Sequence, residues 1–273
     1  MRESGMDRGR VAELLVALGR GSGVGASQSR RRGSGYRLTS TTVLTAWHVV
    51  AGASSAVVRF DAGTPKQVSM EAVAQQRIGE SDLAVVSIEG PVGEPPVPAC
   101  ALGRIPDAAT VLNAQAAGFP RWKLRQSSPN TLYRTLCHLE ATVPTLANHR
   151  DDALEVVVNP PAADPHASPW EGMSGGPLWV DGAIVAVLIE HHPREGLGRL
   201  AALRVDRALS GLDPEQRELL LPLLGLVCLT DLVEVGAGTA AGTQVNVATS
   251  GAMQFNVQHG NLNIVHGQRD SLR

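Results

Sequence analysis

Three short segments hold residues whose types and spacing could do chemistry. The first is Trp170-Glu171-Gly172-Met173-Ser174-Gly175-Gly176-Pro177-Leu178. A nucleophilic serine needs a backbone that projects its oxygen outward, and free amide N–H groups aimed where negative charge will develop. Gly172 permits that conformation and leaves its own N–H unobstructed. Gly175 and Gly176 let a substrate and a neighbouring strand pass close by. The second segment is Gly33-Ser34-Gly35-Tyr36-Arg37-Leu38, then a short connection, then Val43-Leu44-Thr45-Ala46-Trp47-His48-Val49-Val50. A histidine at a strand end, followed by a turn or helical segment, is placed to act as a fixed base. A lone histidine of this kind is more often a core residue. In the third segment, Ser81-Asp82-Leu83-Ala84-Val85-Val86, an acid leads directly into an apolar strand. Such an acid alone is usually a turn residue.

The elements that must position these residues are short, Val-rich strands bounded by Gly, Pro and Ser. Strands are expected at 11–17, 35–38, 43–45, 56–60, 83–88, 111–118, 136–143, 154–158, 178–180 and 184–189. Many short strands without regular helix alternation predict an all-β sandwich or barrel. The stretch 89–98 has prolines at 91, 95, 96 and 98, and suits a connection between two halves. Arg30-Arg31-Arg32 reads as a solvated loop. Asp213-Pro214-Glu215-Gln216 reads as a capped helix start, and Pro222 should kink or end that helix.

The chain's 273 residues are 43% hydrophobic with a net charge of −2, enough for one large globular unit or two small ones. That balance excludes a wholly disordered chain and gives no net-charge reason to bind nucleic acid. No apolar run reaches the roughly 18–20 residues of a membrane span. The N-terminal stretch lacks the pattern of a secretory signal, and three scattered cysteines imply no disulfide framework, so a cytoplasmic location is expected. No cofactor is expected. His191-His192 are adjacent on an expected strand and point to opposite faces, so no metal site is expected either.

In the order His, Asp, Ser, each inside its local motif, the three segments closely resemble the trypsin-like (chymotrypsin-fold) serine peptidases over roughly residues 9–206. The resemblance implies two antiparallel six-stranded-type barrels with the site between them. The peptidase domain would span 1–206, with barrel one at about 9–90, a linker at 89–98 and barrel two at about 99–206. It implies His48 as general base, Asp82 as its orienting acid and Ser174 as nucleophile, with Gly172 and Ser174 N–H groups as the oxyanion hole. Ser168 would sit at the base of the substrate pocket, with Ile189, Glu190 and His191 along its other side. An acid is wanted at position 168 for cleavage after Arg or Lys, and serine is not one. His191 could favour an acidic side chain and Glu190 a basic one. Met173 stands where relatives activated by trimming carry an aspartate, so activation by N-terminal cleavage is not expected.

The end of the chain is a different kind of polymer. A helical segment is expected over 207–230 and an uncharged, β-prone tail over 231–273. From Val235 to Gln268 there is no Asp, Glu, Lys or Arg. Apolar residues alternate with Asn and Gln on either side of Gly260, over about 243–266. Low charge and stackable amides are the ingredients of cross-β assembly. The core Val257-Gln258-His259-Gly260-Asn261-Leu262-Asn263 resembles the RIP homotypic interaction motif and its bacterial counterparts, with His259 in the usual apolar third position. Val257, Gln258, Gly260 and Asn263 would carry assembly with like tails or with a partner. That resemblance implies an effector role in bacterial antiviral or cell-death signalling, where some proteases release gasdermin-like pore formers. The alternatives are a housekeeping cytosolic protease whose tail only oligomerises it, and a non-catalytic trypsin-fold scaffold.

Overall fold

The computed structural model describes residues 6–19, 29–89, 97–107, 110–128, 131–147, 153–162 and 168–236. The first barrel is built from β1 (Val11–Leu18), β2 (Arg30–Arg37), β3 (Thr42–Ala46), β4 (Ala53–Phe60), β5 (Val68–Arg77) and β6 (Leu83–Ile88), closed in the order β1-β2-β3-β6-β5-β4. One helical turn, α1 (Trp47–Val50), follows β3. In the second half, β7 (Gly103–Arg104) precedes β8 (Val111–Gly118). A two-stranded hairpin of β9 (Leu124–Ser128) and β10 (Thr131–Arg134) comes next. Then follow β11 (Cys137–Pro144), β12 (Ala153–Val158), β13 (Pro177–Val180), β14 (Ala183–His191) and β15 (Arg199–Arg204). The second barrel closes in the order β11-β12-β15-β14-β13-β8. Every pairing within both barrels is antiparallel. The protein is therefore all-β with two closed six-stranded barrels, as the resemblance implied.

Each barrel has its own apolar filling, Leu14, Val43, Val58 and Val86 in the first and Leu112, Val143, Val156 and Val185 in the second. A third cluster joins Tyr36 and Leu44 of the first barrel to Trp179 and Ile184 of the second. Tyr36 meets Trp179 edge to face with ring centroids 5.1 Å apart. Helices α2 (Val205–Ser210) and α3 (Pro214–Leu223) bury Leu209, Leu220 and Leu221 in the same cluster. Asp213 caps α3 in a reciprocal pairing with Gln216, and the helix ends at Leu223, one residue after Pro222. Beyond it, β16 (Val233–Glu234) pairs in parallel with β7, and the Gly236 N–H donates to Asp181 at 3.0 Å. The motif around Val257, Gln258, Gly260 and Asn263 lies outside the described residues, as does most of the proline-rich stretch.

Two features differ from the sequence expectation. Arg30-Arg31-Arg32 is the start of β2, not a solvated loop. Arg31 donates to the carbonyls of His48 and Ala51, and Arg32 joins Arg59 in pairing with Glu13, which is buried within β1. Several strands are also present that were not expected, namely β5, β15, the β9–β10 hairpin and the short β7–β16 pair. The β5 sequence, Val-Ser-Met-Glu-Ala-Val-Ala-Gln-Gln-Arg, has little strand propensity and is mostly exposed or half-buried. Its pairing with β4 and β6 holds it in place.

Candidate active site

The pairing of β3 with β6 sets Ala46 opposite Leu83. One step further along each strand, Trp47 and His48 meet Asp82. The Trp47 N–H donates to the Asp82 carbonyl at 2.9 Å, and the His48 N–H donates to Asp82 Oδ1 at 2.8 Å. The second carboxylate oxygen, Oδ2, lies 2.6 Å from His48 Nδ1. An ionised carboxylate can only accept, so this contact puts the proton on Nδ1 and leaves the Nε2 lone pair for other chemistry. Arg31 grips the carbonyl of His48 from the neighbouring strand β2.

Ser174 lies in the turn that enters β13. Its carbonyl accepts from the Ser34 N–H at 2.7 Å, and the Gly175 N–H donates to the Leu188 carbonyl at 2.7 Å. Gly172 (φ +91°) and Gly175 (φ +88°) adopt the left-handed region that favours glycine. A side chain at Gly172 would collide with Arg134, and one at Gly175 with the Ser34 carbonyl and the Thr45 hydroxyl. The Ser174 hydroxyl donates to the Ile189 carbonyl at 3.0 Å, and no hydrogen bond joins it to His48 among the described residues. Neither the Gly172 N–H nor the Ser174 N–H has a partner among the described residues.

This arrangement matches the trypsin-like peptidase domain over residues 33–187, more than half of the chain. The chain belongs to that family. No curated protein matches it by sequence. Among solved structures it is similar to HL collagenase, at 17% identity and a TM-score of 0.54, over 78% of this chain and 94% of that one. It is also similar to the active form of the Rv3671c protease of M. tuberculosis, at 16% identity and a TM-score of 0.48, over 81% of this chain and 83% of that one.

In this trypsin-like domain, Ser168, Ile189, Glu190 and His191 line one cavity of about 290 Å³ that also reaches Ser174. Met173 is buried in the wall of the same cavity. His191 Nδ1 is 2.8 Å from the Ser168 hydroxyl, while its Nε2 is buried without a partner. Burial, with a smaller contribution from neighbouring His192, holds the His191 pKa below its usual value. A larger depression, about 770 Å³, lies elsewhere on the second barrel along Gln115, Glu140 and Asp181, and includes none of these residues. No group of three or more potential metal ligands occurs among the described residues, and no helix there is long and apolar enough to cross a membrane.

Residues that the sequence reading did not single out hold the Ser174 turn in place. The Ser34 hydroxyl donates to the Gly172 carbonyl at 2.7 Å and accepts from the Phe119 N–H at 2.9 Å. Arg134, Arg121 and Glu171 form an ion-pair network beside it. Burial disfavours ionisation of Glu171, but hydrogen bonds from Arg134 and Arg121 outweigh it and hold the carboxyl below its usual range. Ser34 sits within a quoted motif and could have been suspected. Arg134 ends a short polar hairpin and has no local signal.

Proposed function

We propose that the chain is a serine endopeptidase in which His48, Asp82 and Ser174 act as general base, orienting acid and nucleophile. The Ser174 oxygen attacks the scissile carbonyl carbon while its proton passes to His48 Nε2. Asp82 steadies the imidazolium, and the N–H groups of Gly172 and Ser174 hold the oxyanion. Collapse returns the proton to the leaving amine and leaves an acyl-enzyme, which water then hydrolyses by the same route. The observation that carries this reading is the pairing of His48 with both Asp82 carboxylate oxygens, in a chain that also places Ser174 two residues after Gly172, whose N–H has no partner among the described residues. The substrate pocket is the cavity lined by Ser168, Ile189, Glu190 and His191. Ser168, where the resemblance puts the base of the pocket, is not an acid, so strict cleavage after Arg or Lys is not expected, while Glu190 on the opposite wall could favour a basic side chain and His191 an acidic one. The test is a fluorophosphonate probe, which reacts only with an activated serine. Wild-type protein should be labelled and Ser174→Ala should not. An unlabelled wild type would favour the non-catalytic scaffold.

We further propose a cytoplasmic effector recruited through its uncharged tail, acting in bacterial antiviral or cell-death signalling, with a gasdermin-like pore former among its candidate substrates. The support is the resemblance around Val257, Gln258, Gly260 and Asn263, together with three thiols, Cys100, Cys137 and Cys228, that are unpaired. Replacing residues 257–260 by four alanines should abolish thioflavin binding and pelleting while leaving cleavage of a small peptide unchanged. Unchanged pelleting would remove the signalling half of the reading and leave a housekeeping protease.

A further inference from the structure

We infer that Arg134 is the positioning residue that sets the orientation of the Glu171–Gly172 peptide and so keeps the Gly172 N–H available to the oxyanion. This rests on the serine-peptidase reading above. Arg134 reaches in from the end of β10 with its side chain 6% exposed. One of its terminal nitrogens donates to the Glu171 carbonyl at 2.8 Å and to the Phe119 carbonyl at 3.1 Å. The other donates to the Glu171 carboxylate at 2.9 Å. One guanidinium therefore holds both the main chain and the side chain of the residue before Gly172. The Arg121 N–H adds a second donor to the Glu171 carbonyl at 2.8 Å, and the Arg121 side chain holds the other carboxylate oxygen at 3.1 Å.

In a trans peptide the C=O and the following N–H point in opposite directions. Two donors gripping the Glu171 carbonyl thus turn the Gly172 N–H to the far side of that peptide, away from Arg134. If the peptide turned over, a carbonyl oxygen would take the place of the N–H and repel an oxyanion. The glycine is part of the same fit, because any side chain there would overlap the guanidinium. Arg134 also leaves its Nε–H buried without a partner. A buried cation with an unmet donor is a poor choice for stability alone. Its other donors fix the peptide that offers the Gly172 N–H to the oxyanion.

The test uses the full chain, Arg134→Lys and Arg134→Ala, with a p-nitrophenyl ester as substrate and a peptide aldehyde as oxyanion-forming inhibitor. Lysine keeps the charge but cannot bridge carbonyl and carboxylate with a planar fork. Turnover per titrated active site should fall about 10²- to 10³-fold in the alanine variant, the usual loss for one oxyanion donor, with KM nearly unchanged. It should fall less in the lysine variant, aldehyde affinity should fall in parallel, and added guanidinium should restore part of the activity of Arg134→Ala. Variants that melt earlier but turn over normally per active site would make Arg134 a residue of the fold and overturn the inference. Failure of both variants to fold would do the same. A wild type that neither turns over ester nor binds aldehyde would instead defeat the serine-peptidase reading.

Discussion

In the first barrel, the β3–β6 register brings His48 and Asp82 together, and Arg31 on the adjacent strand holds the carbonyl of the histidine. In the second barrel, the turn carrying Ser174 cannot be accounted for by its own strands. Its peptides are held by Ser34 from the other barrel, by Arg121, and by Arg134 at the end of a separate hairpin. The proposed base and its acid are thus a local property of one sheet, whereas the surroundings of the proposed nucleophile belong to the junction of several parts. A strand pairing tolerates change far from the site. A junction transmits it.

Substitutions on each side probe this contrast. Ser174→Ala should cost about 10⁶-fold in turnover without altering the fold, since among the described residues the hydroxyl makes one hydrogen bond, to the Ile189 carbonyl. Turnover assays and an unchanged melting curve check this. Asp82→Asn should cost about 10⁴-fold, because an amide at that position favours the wrong imidazole tautomer. The loss should be confined to the first barrel, with fluorophosphonate labelling slowed and the pocket's affinity for a reversible peptide inhibitor unchanged.

Ser34→Ala crosses the junction. It leaves the Gly172 carbonyl and the Phe119 N–H without their partner in a buried place, at about 1–3 kcal/mol of stability. Displacement of the oxyanion loop should cost up to about 10²-fold in turnover. The low-field proton resonance of His48 Nδ1–H should stay where it is; if it moves, the two barrels are not independent in the way described. The smallest effect is expected from Glu171→Gln. The folded-state pKa of Glu171 is lowered, so its stabilising contribution is complete above the ordinary carboxylate range and is lost as pH falls through the lowered value. Its side chain is half exposed, so the difference in stability should stay under about 1 kcal/mol. Melting curves of the two proteins should be separated at neutral pH and converge in strong acid. Curves that diverge on acidification would reverse the sign.

The same contrast explains what could be read from the chain. His48, Asp82 and Ser174 each lie inside a contiguous motif whose local chemistry is visible, and the strands around them are Val-rich. The strand β5 was hidden because polar and small residues outnumber its larger apolar ones, Val68, Met70 and Val73, and because it is held by ladder pairing to β4 and β6 on either side rather than by a buried apolar face. The run Arg30-Arg31-Arg32 misled for a related reason. Its partners, Glu13 on β1 and the carbonyls of His48 and Ala51 just beyond β3, are brought to it by the pairing of β2 with those two strands. Arg134 was invisible on both counts, being in a short polar hairpin with every partner at least 15 residues away.

Gly175 has a consequence that belongs to inheritance. Its codon begins with two guanines, and each single-nucleotide missense change there yields Ala, Val, Asp, Glu, Ser, Cys, Arg or Trp. All of these carry a Cβ, which would be driven into the Ser34 carbonyl and the Thr45 hydroxyl. Every one-step amino-acid replacement at this position is therefore closed. Lineages that keep a working site can vary that codon only in its silent third letter.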